Sequence, residues 1–135
     1  MISREEYRDI VSGVRKIYRI TRRLSRMPKE RLEVDMDTAL DVDYINEWLD
    51  IILCRICGQA AVELPPLPDN PDPLALYCWC MEKARKQAAR LRWGLLTGRI
   101  GRTRLTHDAW CGIDSVETML LCSAMGTVQP RRWNR

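Results

Sequence analysis

Arg4, Arg8, Arg15, Arg19, Arg22 and Arg26 recur at steps of four, seven, four, three and four residues. On a helix turning about 100° per residue they fall within a wedge of roughly 80°, which holds no acidic residue. Guanidinium groups aligned in this way offer paired hydrogen bonds to phosphates or carboxylates, so the chemistry on offer is capture of a polyanion. The competing expectation is a solvated face, or one that pairs with Asp43, Glu47 and Asp50 of the same chain.

Trp79, Lys83, Lys86, Arg90 and Trp93 form a second stripe at helical spacing. Exposed Trp is costly in water, so each ring should meet a protein neighbour, a base or a partner. Aromatic rings among cations suit single-stranded nucleic acid, where stacking adds to charge, and they suit protein interfaces equally. Arg99, Arg102 and Arg104 follow in a loop with Gly98 and Gly101, where backbone and guanidinium groups can approach a phosphate. No Gly-Lys-Ser/Thr follows, so this is not the phosphate-binding P-loop.

Six cysteines make the third constellation. Cys54 and Cys57 are spaced like a zinc knuckle, and Cys78 and Cys80 follow after twenty residues. Four thiolates could hold a structural zinc. The second pair, however, has one intervening residue, and on a helix Cys78 and Cys80 point about 200° apart. Buried thiols packing as small hydrophobes are therefore expected, with no metal and no cofactor. His107, the single histidine, has Cys111 four residues on, but no orienting group or oxyanion site is specified for nucleophilic catalysis. Asp35, Asp37, Asp41 and Asp43 lack the glycine and spacing of a calcium loop, and are expected to solvate and cap.

The elements that must carry these groups are helical. Ser3 and Glu6 form a capping box ahead of Tyr7, Val11, Val14 and Tyr18, which predicts an amphipathic helix over about 4–26, closed by Pro28. An acidic connector over 33–43 holds at most a short turn, and a second helix is expected over about 43–62. Its apolar residues cover most of its circumference, which places it at a bundle centre or in a dimer interface through Trp48 and Ile52. Five prolines over 63–73 predict an extended connector ending in the helix start Asp72-Pro73. Tyr77, Met81, Ala84, Ala88, Leu91 and Leu95 then step by four and three along a third helix. Thr106 is expected to cap a short turn ending at Gly112, and Asp114 with Glu117 to start a last helix stopped by Gly126. Stretched, 105–126 can be fitted to a helix-turn-helix, with its spacing one residue short.

Phe is absent and no stretch alternates cleanly, which argues against a sheet. The expected class is all-α: one four-helix, bundle-like domain over 1–126, with a proline-rich connector between helices two and three and a frayed basic tail over 127–135. The net charge of +4 conceals segregation. Residues 1–31 carry ten bases against four acids (+6), residues 32–73 one against ten (−9), and residues 74–135 eleven against four (+7). Arg outnumbers Lys eighteen to four, through either phosphate binding or codon bias. The charged N-terminus has no signal peptide, and the apolar run over 48–62 is interrupted and too short to span a bilayer. A cytoplasmic location with reduced thiols, and no membrane partner, is the expectation.

Three function classes follow. The first is a non-enzymatic nucleic-acid-binding protein that contacts the phosphate backbone through Arg8, Arg15, Arg19, Arg22 and Arg26. In it Lys83, Lys86 and Arg90 extend the track and Trp79 and Trp93 serve as stacking platforms. The second is a protein–protein interaction, inhibitor or adaptor protein that acts as a homodimer on a larger machine, with an acidic protein surface as its partner. An enzyme comes last, because no catalytic set assembles.

Overall fold

In the computed structural model, residues 1–124 are described, and they are all-helical with no strands. Four principal helices form a bundle-like domain: α1 (Arg4–Ser25), α2 (Met36–Asp50), α3 (Pro73–Leu96) and α4 (His107–Met119). The tail expected beyond residue 126 lies outside the described residues.

Local chemistry starts each helix where a side chain relieves the orphan backbone N–H groups of the first turn. Ser3 and Glu6 complete the capping box of α1, each side chain accepting from the other's backbone. Asp35 accepts from Thr38 N at 2.7 Å, Asp72 from Ala75 N at 2.7 Å, and Thr106 from Ala109 N at 3.4 Å. Gly98, with φ of 76°, supplies the left-handed residue that ends the third helical segment.

Two sequence expectations are corrected. First, α2 begins at Met36, not near residue 43, and its α-helical part ends at Asp50. The cause is the Asp35 cap together with Ala39 and Val42, both fully buried, which extend the core stripe of Ile45 and Leu49 backwards. The chain continues through a wider π-helical segment, Ile51–Ile56, in which Cys57 N donates to Ile52 O at 2.9 Å. That widening sends the consecutive residues Ile52 and Leu53 both into the core.

Second, α4 runs unbroken through Gly112, so the turn proposed there, and the helix-turn-helix that needs it, do not form. Gly112 is a packing residue. A Cβ at that position would lie 2.9 Å from Ile52 Cδ1 and 3.1 Å from Trp48 Cε3. Gly13 does the same for α1, since its Cβ would lie 2.5 Å from Ile113 Cγ2. Two glycines thus let α4 settle close to both neighbours.

Each of α1 and α2 packs on both α3 and α4. Going round the bundle, the order is α1, α3, α2, α4, with α1 and α2 at opposite corners. Ile10, Val14, Ile17 and Leu24 of α1 meet Tyr77, Met81, Ala84, Ala88 and Leu91 of α3 in one core, which Ile113, Val116 and Leu120 complete. Ile45, Leu49, Ile52 and Leu53 are buried within the same core. Of the two places open to the over-apolar second helix, the structure therefore fills the bundle interior from its own chain.

Candidate nucleic-acid interface

The buried face of α1 is set by Ile10, Gly13, Val14, Ile17, Thr21 and Leu24. At 100° per residue this face is centred about 200° from the arginine wedge, which therefore points straight outward. Arg4, Arg8, Arg15, Arg19, Arg22 and Arg26 are all exposed. Among the described residues the ion pairs are Lys16–Glu117 at 3.3 Å, His107–Glu6 at 2.8 Å and Arg85–Glu82, so none of the six is matched with a carboxylate. The expected internal partners Asp43, Glu47 and Asp50 are on the opposite corner of the bundle, Asp43 midway along α2 and the other two in its last turn.

From Arg4 to Arg26 the rail is about 33 Å long at 1.5 Å per residue, or roughly one positive charge every 6 Å. Parallel guanidinium groups at this spacing repel one another and concentrate counter-anions. Near the C-terminal end, Arg19, Arg22, Arg23 and Arg26 surround an open depression of about 460 Å³ that also takes in Ile20. Cations near a helix C-terminus complement its dipole as well, so Arg22 and Arg23 oppose folding less than their charge implies.

Two contributors from α3 escape a one-helix reading. Arg92 of α3 sits 5.3 Å over the ring of Tyr18 on α1, and Arg85, bound to Glu82, lies on the same side of α3. Arg23 joins the depression from the edge of the rail. Tyr18 reads as an ordinary seam residue and Arg92 as a solvated one, and no spacing rule pairs positions 74 residues apart.

The stripe on α3 meets a different fate. Trp79 donates its indole N–H to Pro65 O at 2.8 Å, and Lys83 lies 5.5 Å over its ring. Arg90 donates from Nη1 to Ala60 O at 2.7 Å and Ala61 O at 3.1 Å. The stretch from Ala60 to Pro65, leading into the proline-rich connector, is thereby strapped along α3 on the side of Cys54, in the π-helical segment after α2, away from the flank where Arg92 meets α1. Lys86 is exposed and Trp93 is 62% exposed. In the following loop Arg102 reaches Ile2 O at 3.0 and 3.4 Å and ties down the N-terminus, while Arg99 and Arg104 remain exposed. The structure thus gathers the α1 arginines on one ridge, holds Trp79, Arg90 and Arg102 in internal contacts, and leaves Lys86, Trp93, Arg99 and Arg104 on the surface.

The zinc alternative finds no support in the geometry. Among the described residues no three His, Cys, Asp or Glu side chains gather in a way that could hold a metal ion, so no three of Cys54, Cys57, Cys78 and Cys80 converge. Burial pushes the Cys57 thiol up to about 11, and burial with Asp43 close by pushes Cys80 to about 12. Cys80 and Cys54 instead donate weakly to Asp43 at 3.9 Å and Asp50 at 3.5 Å. Thiols held protonated in this way are poor nucleophiles and poor ligands. His107 is engaged too. Its Nδ1 contacts Glu6 Oε2 and its ring lies 5.2 Å from Trp110, whose indole N–H donates to Asp9. This cluster fastens the start of α4 to the start of α1, and the His107 hydrogen bond, with the Ser3 backbone N–H, holds the Glu6 carboxyl below its ordinary range.

Among the described residues no helix is long and apolar enough to cross a membrane. No known protein family, curated protein or solved structure matches this chain.

Proposed function

We propose that this chain is a non-enzymatic protein that binds nucleic acid through phosphate contacts along α1. The observation that carries this reading is the ridge of exposed arginines, opposite the core face and without carboxylate partners among the described residues. A protein keeps so many like charges aligned at an electrostatic cost, and a polyanion turns that cost into binding free energy through release of condensed counterions. Backbone phosphates are common to all sequences, so recognition by this ridge is insensitive to sequence.

The test is salt dependence. With five to six phosphates neutralised, log affinity falls with log salt at a slope of about −5, a loss of about a thousandfold between 50 and 200 mM. The triple variant Arg15→Glu, Arg19→Glu, Arg22→Glu should abolish binding with its helical circular dichroism intact. Unchanged binding by that variant removes α1 from the function.

A second reading, docking of a protein partner, is favoured by a separate observation. Met36, Leu40 and Tyr44 stand one turn apart on the outer face of α2 and are 42, 50 and 49% exposed. Asp37, Asp41, Asp43 and Glu47 surround them, so a complementary surface is apolar and basic. Two copies joined symmetrically through α2 would oppose like charges, which directs this ridge toward a basic partner surface. Sedimentation of the wild type and of Leu40→Glu, alone and with nucleic acid, separates the two readings.

A further inference from the structure

Of the tryptophans described, Trp79 and Trp110 hold their indole N–H groups in hydrogen bonds, and Trp48 packs against the core. Trp93 alone among them presents most of its ring to solvent, at 62% exposure. It lines a groove of about 420 Å³ together with Arg90, Arg99, Ala89, Gly94 and Ala60. Arg90 is fixed there, because Nη1 is held by the carbonyls of Ala60 and Ala61, and its remaining N–H groups stay available. Arg99 has no partner among the described residues. A flat apolar face between two guanidinium groups, one of them already immobilised, matches a nucleobase and its flanking phosphates.

The groove is also connected to the rail. Arg102, just beyond α3, holds Ile2, just ahead of α1, and Arg92 meets Tyr18, so α1 and α3 run antiparallel. Trp93 follows Arg92 by one residue, about 100° further round α3 and away from α1. A flexible chain lying on the rail can cross Arg92 and reach the Trp93 ring. A duplex cannot use that ring, since its bases are already stacked on one another.

We infer that Trp93, flanked by Arg90 and Arg99, is a base-stacking subsite, and that the substrate class is single-stranded nucleic acid with its phosphates along α1. Stacking here presupposes phosphate binding by the rail. The test compares an oligo(dT) of about twenty nucleotides with a duplex of the same length, at one salt concentration. Trp93→Ala should lower oligo(dT) affinity about tenfold and leave duplex affinity within about twofold, while Trp93→Phe restores most of the loss. Oligo(dT) should also quench wild-type tryptophan fluorescence more than that of Trp93→Phe. Equal loss on both ligands, or no loss on oligo(dT), overturns the subsite. If the rail triple variant abolishes binding while Trp93→Ala changes nothing, the rail stands and the subsite falls. If the wild type binds neither ligand, both fall.

Discussion

The guanidinium carbon of Arg92 lies 5.3 Å from the centre of the Tyr18 ring, so one cation of α3 is mounted on the aromatic shoulder of α1. The stack restrains a side chain that would otherwise sample many rotamers, while Arg92 stays exposed. Arg92→Ala should weaken binding of single-stranded and duplex ligands alike, by about three- to tenfold, and reduce the salt slope by about 1. The stability cost should stay within about 1 kcal/mol. Titrations at several salt concentrations check both numbers, and an unchanged slope would place Arg92 outside the interface.

The contact between Gly112 and the side chains of Trp48 and Ile52 gives a stability prediction. Gly112→Val must push an indole ring or a buried isoleucine aside, and it adds a β-branched residue to a helix. The expected cost is about 2 kcal/mol, a fall in midpoint temperature of about 6–8 °C in thermal unfolding. A hinge at this position, as the sequence suggests, would tolerate the substitution with little loss.

Gly112 also shows where sequence reasoning stops. A glycine between Thr106 and Asp114 has the local look of a helix stop, and only the neighbours across the bundle reveal it as a close-approach residue. The same holds for the start of α2. Ala39 and Val42 continue the core stripe, but the acids at 35, 37, 41 and 43 hide it in composition. By contrast, α1 and α3 are legible to within a residue at most of their ends, because cap, periodicity and stop all agree within each segment. The candidate site divides along the same line. The rail lies on one helix and is readable from spacing. The engagement of Trp79 and Arg90 by the connector, and the pairing of Arg92 with Tyr18, depend on which helices meet.

Thiol ionisation gives a pH prediction with a definite sign. Cys57 and Cys80 hold their protons to about 11 and 12 in the folded chain, against an ordinary value of 9.0. Below about pH 9 both states are protonated and the pair contributes in full to stability. Above it the unfolded chain loses protons that the folded chain keeps, so stability declines as pH rises from 9 toward 12. Denaturant midpoints across that range should fall, and the fall should flatten in the double variant Cys57→Ala, Cys80→Ala. At about pH 8 a thiol reagent should label exposed Cys122 well before either buried thiol. Equal rates at all three would contradict the burial that sets these values.

Gln87 is fully buried, and neither its Nε2 nor its Oε1 has a hydrogen-bond partner among the described residues. Asn46, also buried, at least donates from Nδ2 to Cys80 O at 2.8 Å. Removing an amide from water without replacing its hydrogen bonds costs about 1–3 kcal/mol. Methionine has similar length, no branch at Cβ and no such penalty. Gln87→Met should therefore stabilise the fold by about 1–2 kcal/mol and raise the midpoint temperature by about 3–6 °C. Gln87→Glu should destabilise it, most strongly above the pH where a buried carboxyl is forced to ionise. Because Gln87 faces the core and the arginine ridge faces water, neither change should alter the salt slope of nucleic-acid binding. A methionine variant with a lower midpoint would mean that the amide is fully hydrogen-bonded in solution, and the polar core would then be a stabilising feature of the fold.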